Sequence, residues 1–134
     1  MTFTVGGTQT MQALNSGDLT IEHSRHGPET IRLDWKGRSN ARRPDEAINP
    51  FLSDVLEQAR TGTAGIDMHF ETLEYLNSST VGVLVQFLHK ARAGGVPLSF
   101  SYAPSVRWQK LSFEALRVFE QMDHRVRVIA VEGA

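Results

Sequence analysis

The spacing of apolar positions changes several times along this 134-residue chain, and each change marks an element. Leu19 and Ile21 alternate with Thr20 and Glu22. Ile31, Leu33 and Trp35 alternate with polar neighbours in the same way, the period of two that half-buried strands require. His26-Gly27-Pro28 between the two runs is turn chemistry, so they predict an antiparallel hairpin with Trp35 packed in the core or at the sheet edge. A helix is expected to open with Asn49 as cap and Pro50 at the first helical position, where a missing N–H costs nothing. Its stripe is Phe51, Leu52, Val55, Leu56 and Ala59, and Thr61-Gly62-Thr63 closes it. Ile66, Met68 and Phe70 then alternate as a core strand over residues 65–70, expected at the centre of the sheet.

After a short link, Val81, Leu84, Val85, Leu88 and Ala91 fall at the spacing of one helical face, with Gln86, His89, Lys90 and Arg92 opposite. This predicts a helix from about Ser79 to Arg92, capped by Asn77 or Ser78 and ended by Gly94 in a left-handed conformation. Val96, Leu98, Phe100 and Tyr102 read as a strand stopped by Pro104. Ser105 is expected to cap a last helix carrying Trp108, Leu111, Ala115, Leu116, Phe119 and Met122, followed by a strand over residues 125–131 built on Val126 and Val128. Residues 1–18 form an N-terminal segment with no clear period, compatible with a short strand at 3–5 or a helical turn at 11–14. Residues 37–49, with Arg38, Arg42, Arg43 and Pro44, read as a polar surface loop. A hairpin followed by repeated helix-strand units implies an α/β fold, a mixed β-sheet with parallel later strands and flanking α-helices, in one domain over residues 19–131.

Composition narrows the function. A net charge of −1 argues against nucleic acid or an anionic membrane surface as partner, since either needs a broad basic field. There are no cysteines, hence no disulfides and no thiolate metal site. No apolar run approaches the ~18 residues of a membrane span and no signal pattern opens the chain, so a cytoplasmic protein without membrane insertion is expected.

The candidate chemistry lies at Asn77-Ser78-Ser79-Thr80. One of the first two residues caps the helix, which leaves hydroxyls in its first turn, where free N–H groups and the helix dipole favour a phosphate. A hydroxyl so placed is readily converted into a charge switch. Gly82, one turn further on, costs about 1 kcal/mol relative to alanine inside a helix, and its presence suggests close approach by backbone or by a partner. No catalytic residues are assigned, because the tetrad is not a hydrolase elbow and no Gly-rich phosphate loop with its lysine occurs. His23, His26, His69, His89 and His124 are scattered; His23 and His26 flank a turn and read as solvated, so neither metal nor cofactor is expected.

The element order, taken with Leu73-Glu74-Tyr75-Leu76-Asn77-Ser78-Ser79-Thr80-Val81-Gly82-Val83-Leu84, resembles the STAS family, shared by sulphate transporters and anti-sigma factor antagonists. The bacterial antagonists carry Asp-Ser-Ser-Gly before an apolar-Gly-apolar-apolar helix start. Asn77 stands at the aspartate, Ser78 and Ser79 at the serines, Thr80 at the glycine and Gly82 at the helix glycine. Gly94-Gly95 before a strand, and Pro104 before Val106 and Arg107, match later landmarks. Glu114 falls in a continuous helical pattern where many members have a glycine break.

The resemblance implies a bacterial, non-enzymatic domain that binds an anti-sigma factor or GHKL-type serine kinase through Asn77, Ser78, Ser79, Thr80 and Gly82. It implies phosphorylation at Ser79, with Thr80 and Ser78 as second choices, and a phosphatase as a further partner. Because Asn77 removes the carboxylate and Thr80 the glycine, a second reading stays open: a scaffold or regulatory subunit of a larger assembly without phosphoregulation.

Overall fold

The computed structural model describes residues 9–10 and 13–133. Within them the chain runs β1 (Gln9–Thr10), β2 (Leu14–Ser16), β3 (Leu19–Arg25), β4 (Thr30–Ser39), α1 (Asp45–Gly62), β5 (Gly65–His69), β6 (Leu73–Leu76), α2 (Ser78–Ala93), β7 (Leu98–Tyr102), α3 (Arg107–Ala115), α4 (Val118–Met122) and β8 (Val126–Ala130). The main path of the sheet is β1-β3-β4-β5-β7-β8, with β2 also on β3 and β6 also on β4. The predicted hairpin is β3 and β4, antiparallel, while β4·β5, β5·β7 and β7·β8 are parallel. The sheet is therefore mixed, and β5 is a central strand as its alternating pattern predicts.

From β4 onward each crossover steps the same way along the sheet, and right-handed connections then place every helix on one face. Ile31, Leu33, Trp35, Ile66, Met68, Leu98, Phe100, Tyr102, Val126 and Val128 are buried beneath that layer. Alternate residues, among them Arg32, Asp34, Asp67, His69 and Arg127, line the other face. Under the helices, Phe70 touches Trp35, Phe100 and Phe113 at centroid separations of 5.1, 5.9 and 4.7 Å, so Trp35 is a core residue.

Several boundaries differ from the sequence expectation for identifiable reasons. Helix α1 starts at Asp45 rather than Asn49, with Pro44 at the cap position and Pro50 inside the helix. Asp45 and Glu46 complement the dipole in the first turn, and Ile48 extends the buried stripe of Leu52, Val55 and Ala59 by one turn. That gain offsets the donor lost at Pro50, which is exposed. Phe51 and Leu56 are only partly buried. The polar stretch after Trp35 is not all loop, because β4 runs on to Ser39.

Gly37 makes that extension possible. Its φ of +84° disfavours a side chain, and a Cβ there would collide with the carbonyl oxygen of Asp18, which accepts from Arg38 N at 3.1 Å.

Strand β6 lies in what reads in the sequence as a link, and pairs in parallel with Gly37, Arg38 and Ser39. At the end of α2 the left-handed residue is Gly95, with φ +71°, and Gly94 keeps a helical φ of −85°.

The last predicted helix is two helices. Leu116, Arg117, Phe119 and Glu120 bond three residues back, tightening the link into a 3₁₀ turn that shifts the axis. Leu111 and Met122, expected in the core, are 64% and 57% exposed, while Phe113 and Leu116 are buried. The residue at the α3 cap position is Val106, not Ser105. The possible strand at 3–5 lies outside the described residues, as do residues 11 and 12 of the possible helical turn; Leu14 begins a strand.

Candidate functional site

Strand β6 delivers the tetrad to the edge of α2. Asn77 N donates to Ser39 O at 3.0 Å, continuing the β4·β6 pairing by one residue, and Asn77 then turns extended to cap the helix. Its Oδ1 accepts from Thr80 N at 2.9 Å and from Thr80 Oγ1 at 2.7 Å. Its Nδ2 donates to Ala41 O at 2.9 Å, which fixes the orientation of the amide.

The Thr80 hydroxyl has one proton and gives it to Asn77, so the 2.6 Å contact between Ser39 Oγ and Thr80 Oγ1 has Ser39 as donor. Ser39, Thr80, Asn77 and Ala41 thus form one directed chain that ties the end of β4, the loop after it and the first turn of α2 together.

Asn77 and Thr80, the two departures from the Asp-Ser-Ser-Gly pattern, depend on each other within this chain. An aspartate could not donate to Ala41 O, and a glycine would have no hydroxyl for Oδ1 or for Ser39. Thr80 is completely buried, and Ser39 is buried beside it. Thr80→Val, which keeps the shape and removes the hydroxyl, is expected to cost about 1 to 3 kcal/mol in urea denaturation, because buried Ser39 loses its partner. A cost near zero would mean that the chain of hydroxyls contributes nothing.

Ser78 and Ser79, by contrast, are exposed, and no side-chain hydrogen bond holds either hydroxyl among the described residues.

The buried face of α2 is rotated from the expected one. Thr80, Val83, Leu84, Phe87, Leu88 and Ala91 are buried, whereas Val81 and Val85 are partly exposed. A threonine at the head of the stripe hid this phase, since its hydroxyl is satisfied internally rather than by water. Gly82 is exposed on the outer side, and a Cβ added there meets nothing within 4 Å, so among the described residues no backbone outside its own helix approaches it. Gly82→Ala is expected to stabilise the isolated protein by up to about 1 kcal/mol in thermal or urea unfolding; destabilisation would show that the glycine has a conformational role in the fold.

Gln109 carries no sequence expectation, yet it is the hub behind the site. It is completely buried, its Oε1 accepts from Ala103 N at 2.7 Å, and its Nε2 donates to Phe70 O at 2.7 Å and Leu73 O at 3.1 Å. It thereby clamps the turn between β5 and β6 to the end of β7. The available signal is its spacing, for Gln109, Phe113 and Leu116 share one helical face.

The histidines stay apart. His26 is exposed, but His23 is buried against Phe51, contrary to a solvated pair, and burial, with Arg25 nearby, pushes its pKa below the usual value. Among the described residues no group of three or more His, Asp or Glu is placed to hold a metal ion, and no helix is long and apolar enough to cross a membrane.

No family model matches the chain, and no curated protein is significantly similar to it. Among solved structures, it is similar to the Bacillus cell fate determinant SpoIIAA in its phosphorylated form, with a TM-score of 0.53 and 16% identity over 84% of this chain and 92% of that one. The fold is STAS-like.

Proposed function

We propose that the protein is a non-enzymatic regulatory domain of the anti-sigma factor antagonist type, which binds an anti-sigma factor or serine kinase through residues 77–82 and is switched by phosphorylation at Ser79. The observation that carries this reading is the contrast within the tetrad. Asn77 and Thr80 are locked into the scaffold, while the adjacent Ser79 hydroxyl is exposed in the first turn of a 16-residue helix. A kinase can reach Ser79 without disturbing the fold. The similarity to a STAS-like protein described in a phosphorylated form supports the same class of switch.

Thr80, with its side chain enclosed and both hydroxyl contacts occupied, is a poor acceptor, and Ser78 is the remaining alternative. Phosphate on Ser79 would add about −1.5 to −2 charge at a helix N-terminus, where it stabilises the fold locally while altering the surface a partner meets.

The scaffold reading rests on Asn77, whose neutral amide places no carboxylate beside Ser79 to help position a magnesium-bound nucleotide. Phosphosite mapping by mass spectrometry of the protein isolated from its native cells separates the two. Phosphate on Ser79, abolished in Ser79→Ala, is the expected result. Its absence under all growth conditions in which the protein is made would leave the scaffold.

A further inference from the structure

The arginines of residues 38–43 take no part in the hydrogen-bonded chain that holds the tetrad, yet they are fastened to it through Ser39 and Ala41. Arg38 lies directly across the β4·β6 ladder from Tyr75, and its guanidinium sits over the Tyr75 ring, 5.3 Å from the centroid. Tyr75, two residues before the helix cap, is 41% exposed. Arg43 is partly answered by Asp45 and Glu46 at 3.7 and 3.8 Å, but no carboxylate lies within ion-pair distance of Arg38 or Arg42 among the described residues. Asp18, which accepts from Asn40 at 3.4 Å, and Asp45 and Glu46 beside Arg43 offset part of the local charge, which leaves the exposed Arg38 and Arg42 as the cations open to a partner, next to the segment that Ala41 ties to Asn77.

Exposed tyrosine and arginine are the residue types that carry most binding energy at protein interfaces, and a guanidinium stacked on a ring is already partly ordered before contact. We infer that Tyr75, Arg38 and Arg42 form, with Ser78 and Ser79, a docking surface for an acidic protein segment. That segment presents Asp or Glu carboxylates to the arginines and an apolar side chain to the tyrosine ring.

The inference rests on the reading of the tetrad as partner-facing and adds the charge of the partner. It also gives the switch a mechanism, because a phosphate on Ser79 places negative charge where the partner's carboxylates would lie. Two unpaired arginines on a chain of net negative charge are too narrow a field for nucleic acid, which makes duplex DNA the competing outcome.

The probe is a synthetic decapeptide of glutamates around a central leucine pair, titrated into the isotope-labelled full chain and followed by NMR. Amide shifts are expected at Arg38, Arg42, Tyr75, Ser78 and Ser79. The affinity should fall about tenfold in Arg38→Glu/Arg42→Glu and weaken with added salt. Arg107→Glu/Lys110→Glu, an exposed basic pair on α3, should bind as wild type. Shifts confined elsewhere, equal binding by the Arg38/Arg42 variant, or duplex DNA binding these amides more tightly than the peptide would overturn the inference. Peptide binding at this patch in a protein never phosphorylated on Ser79 retains the acidic-partner surface and removes the switch. Phosphate on Ser79 with no peptide at the patch does the reverse.

Discussion

Gln109→Leu is expected to destabilise the protein by roughly 2 to 6 kcal/mol, because two buried backbone groups lose their side-chain partner at once, at about 1 to 3 kcal/mol each. The groups are Ala103 N–H and the Leu73 carbonyl, while the Phe70 carbonyl loses one of two donors and keeps Leu73 N at 2.9 Å. Leucine has nearly the volume of glutamine, so a cavity adds little, and the loss reports on hydrogen bonding rather than packing. Set against the 5 to 15 kcal/mol typical of a whole domain, this is a large fraction. Gln109→Glu is the sharper test of chemistry. It keeps an acceptor for Ala103 N–H but turns a carboxylate toward two carbonyls, and should cost nearly as much at neutral pH while recovering as the carboxyl protonates on acidification. The functional consequence is local, since Leu73 opens the strand that ends at Leu76, the residue before Asn77. Hydrogen exchange in Gln109→Leu should rise first over residues 73–80, below the denaturant concentration that unfolds the sheet. A loss under about 1 kcal/mol, or exchange that rises uniformly, would show that the clamp does not position the site.

The division between what the sequence reveals here and what it hides follows from where polar groups are satisfied. β3, β5, β7 and β8 are legible because most of their polar residues face away from the helices and most of their apolar residues face the core, with buried His23 on β3 and outward Ile129 on β8 as exceptions that leave the period of two readable. The rotated face of α2 is hidden because Thr80 looks like a surface residue, and only the tertiary contact with Ser39, 41 positions away, makes it a core one. Gln109 is hidden for the same reason: a buried amide looks exposed until the carbonyls it serves, more than thirty residues earlier, are brought to it. β6 has too little alternation to be read, with Glu74 and Tyr75 both exposed, and it exists because β4 continues past Gly37 to offer it an edge. The start of α1 was obscured by a strong local signal, a proline that fits a first turn, which the burial of Ile48 outweighs. Within the tetrad, the sequence identifies the cap and the exposed hydroxyls, but the interdependence of Asn77 and Thr80 becomes visible only with Ser39 and Ala41 in place.

Ser79→Asp is expected to weaken partner binding by about ten- to a hundredfold while leaving the fold as stable as before or slightly more so. The separation follows from the geometry. Ser79 is exposed in the first turn of α2, so a carboxylate there is favourable by about 0.3 to 1 kcal/mol for the isolated chain through the helix dipole. The same charge opposes a partner whose own carboxylates approach Arg38 and Arg42, and part of it must be desolvated on docking. Ser79→Ala removes only an unheld hydroxyl and should bind as wild type while accepting no phosphate. Thr80→Asp serves as the contrasting variant: its charge would be buried against Ser39 and Asn77, so it should unfold or severely destabilise the protein rather than uncouple binding from stability. The measurement is calorimetric titration of wild type, Ser79→Ala and Ser79→Asp against the partner recovered with the protein from its native cells, paired with urea denaturation of each. Equal affinity across the three would sink the switch, because a surface indifferent to charge at Ser79 cannot be regulated by placing phosphate there. A drop in affinity matched by an equal loss of stability would assign the effect to folding instead, and the exposed position of Ser79 predicts that no such loss occurs.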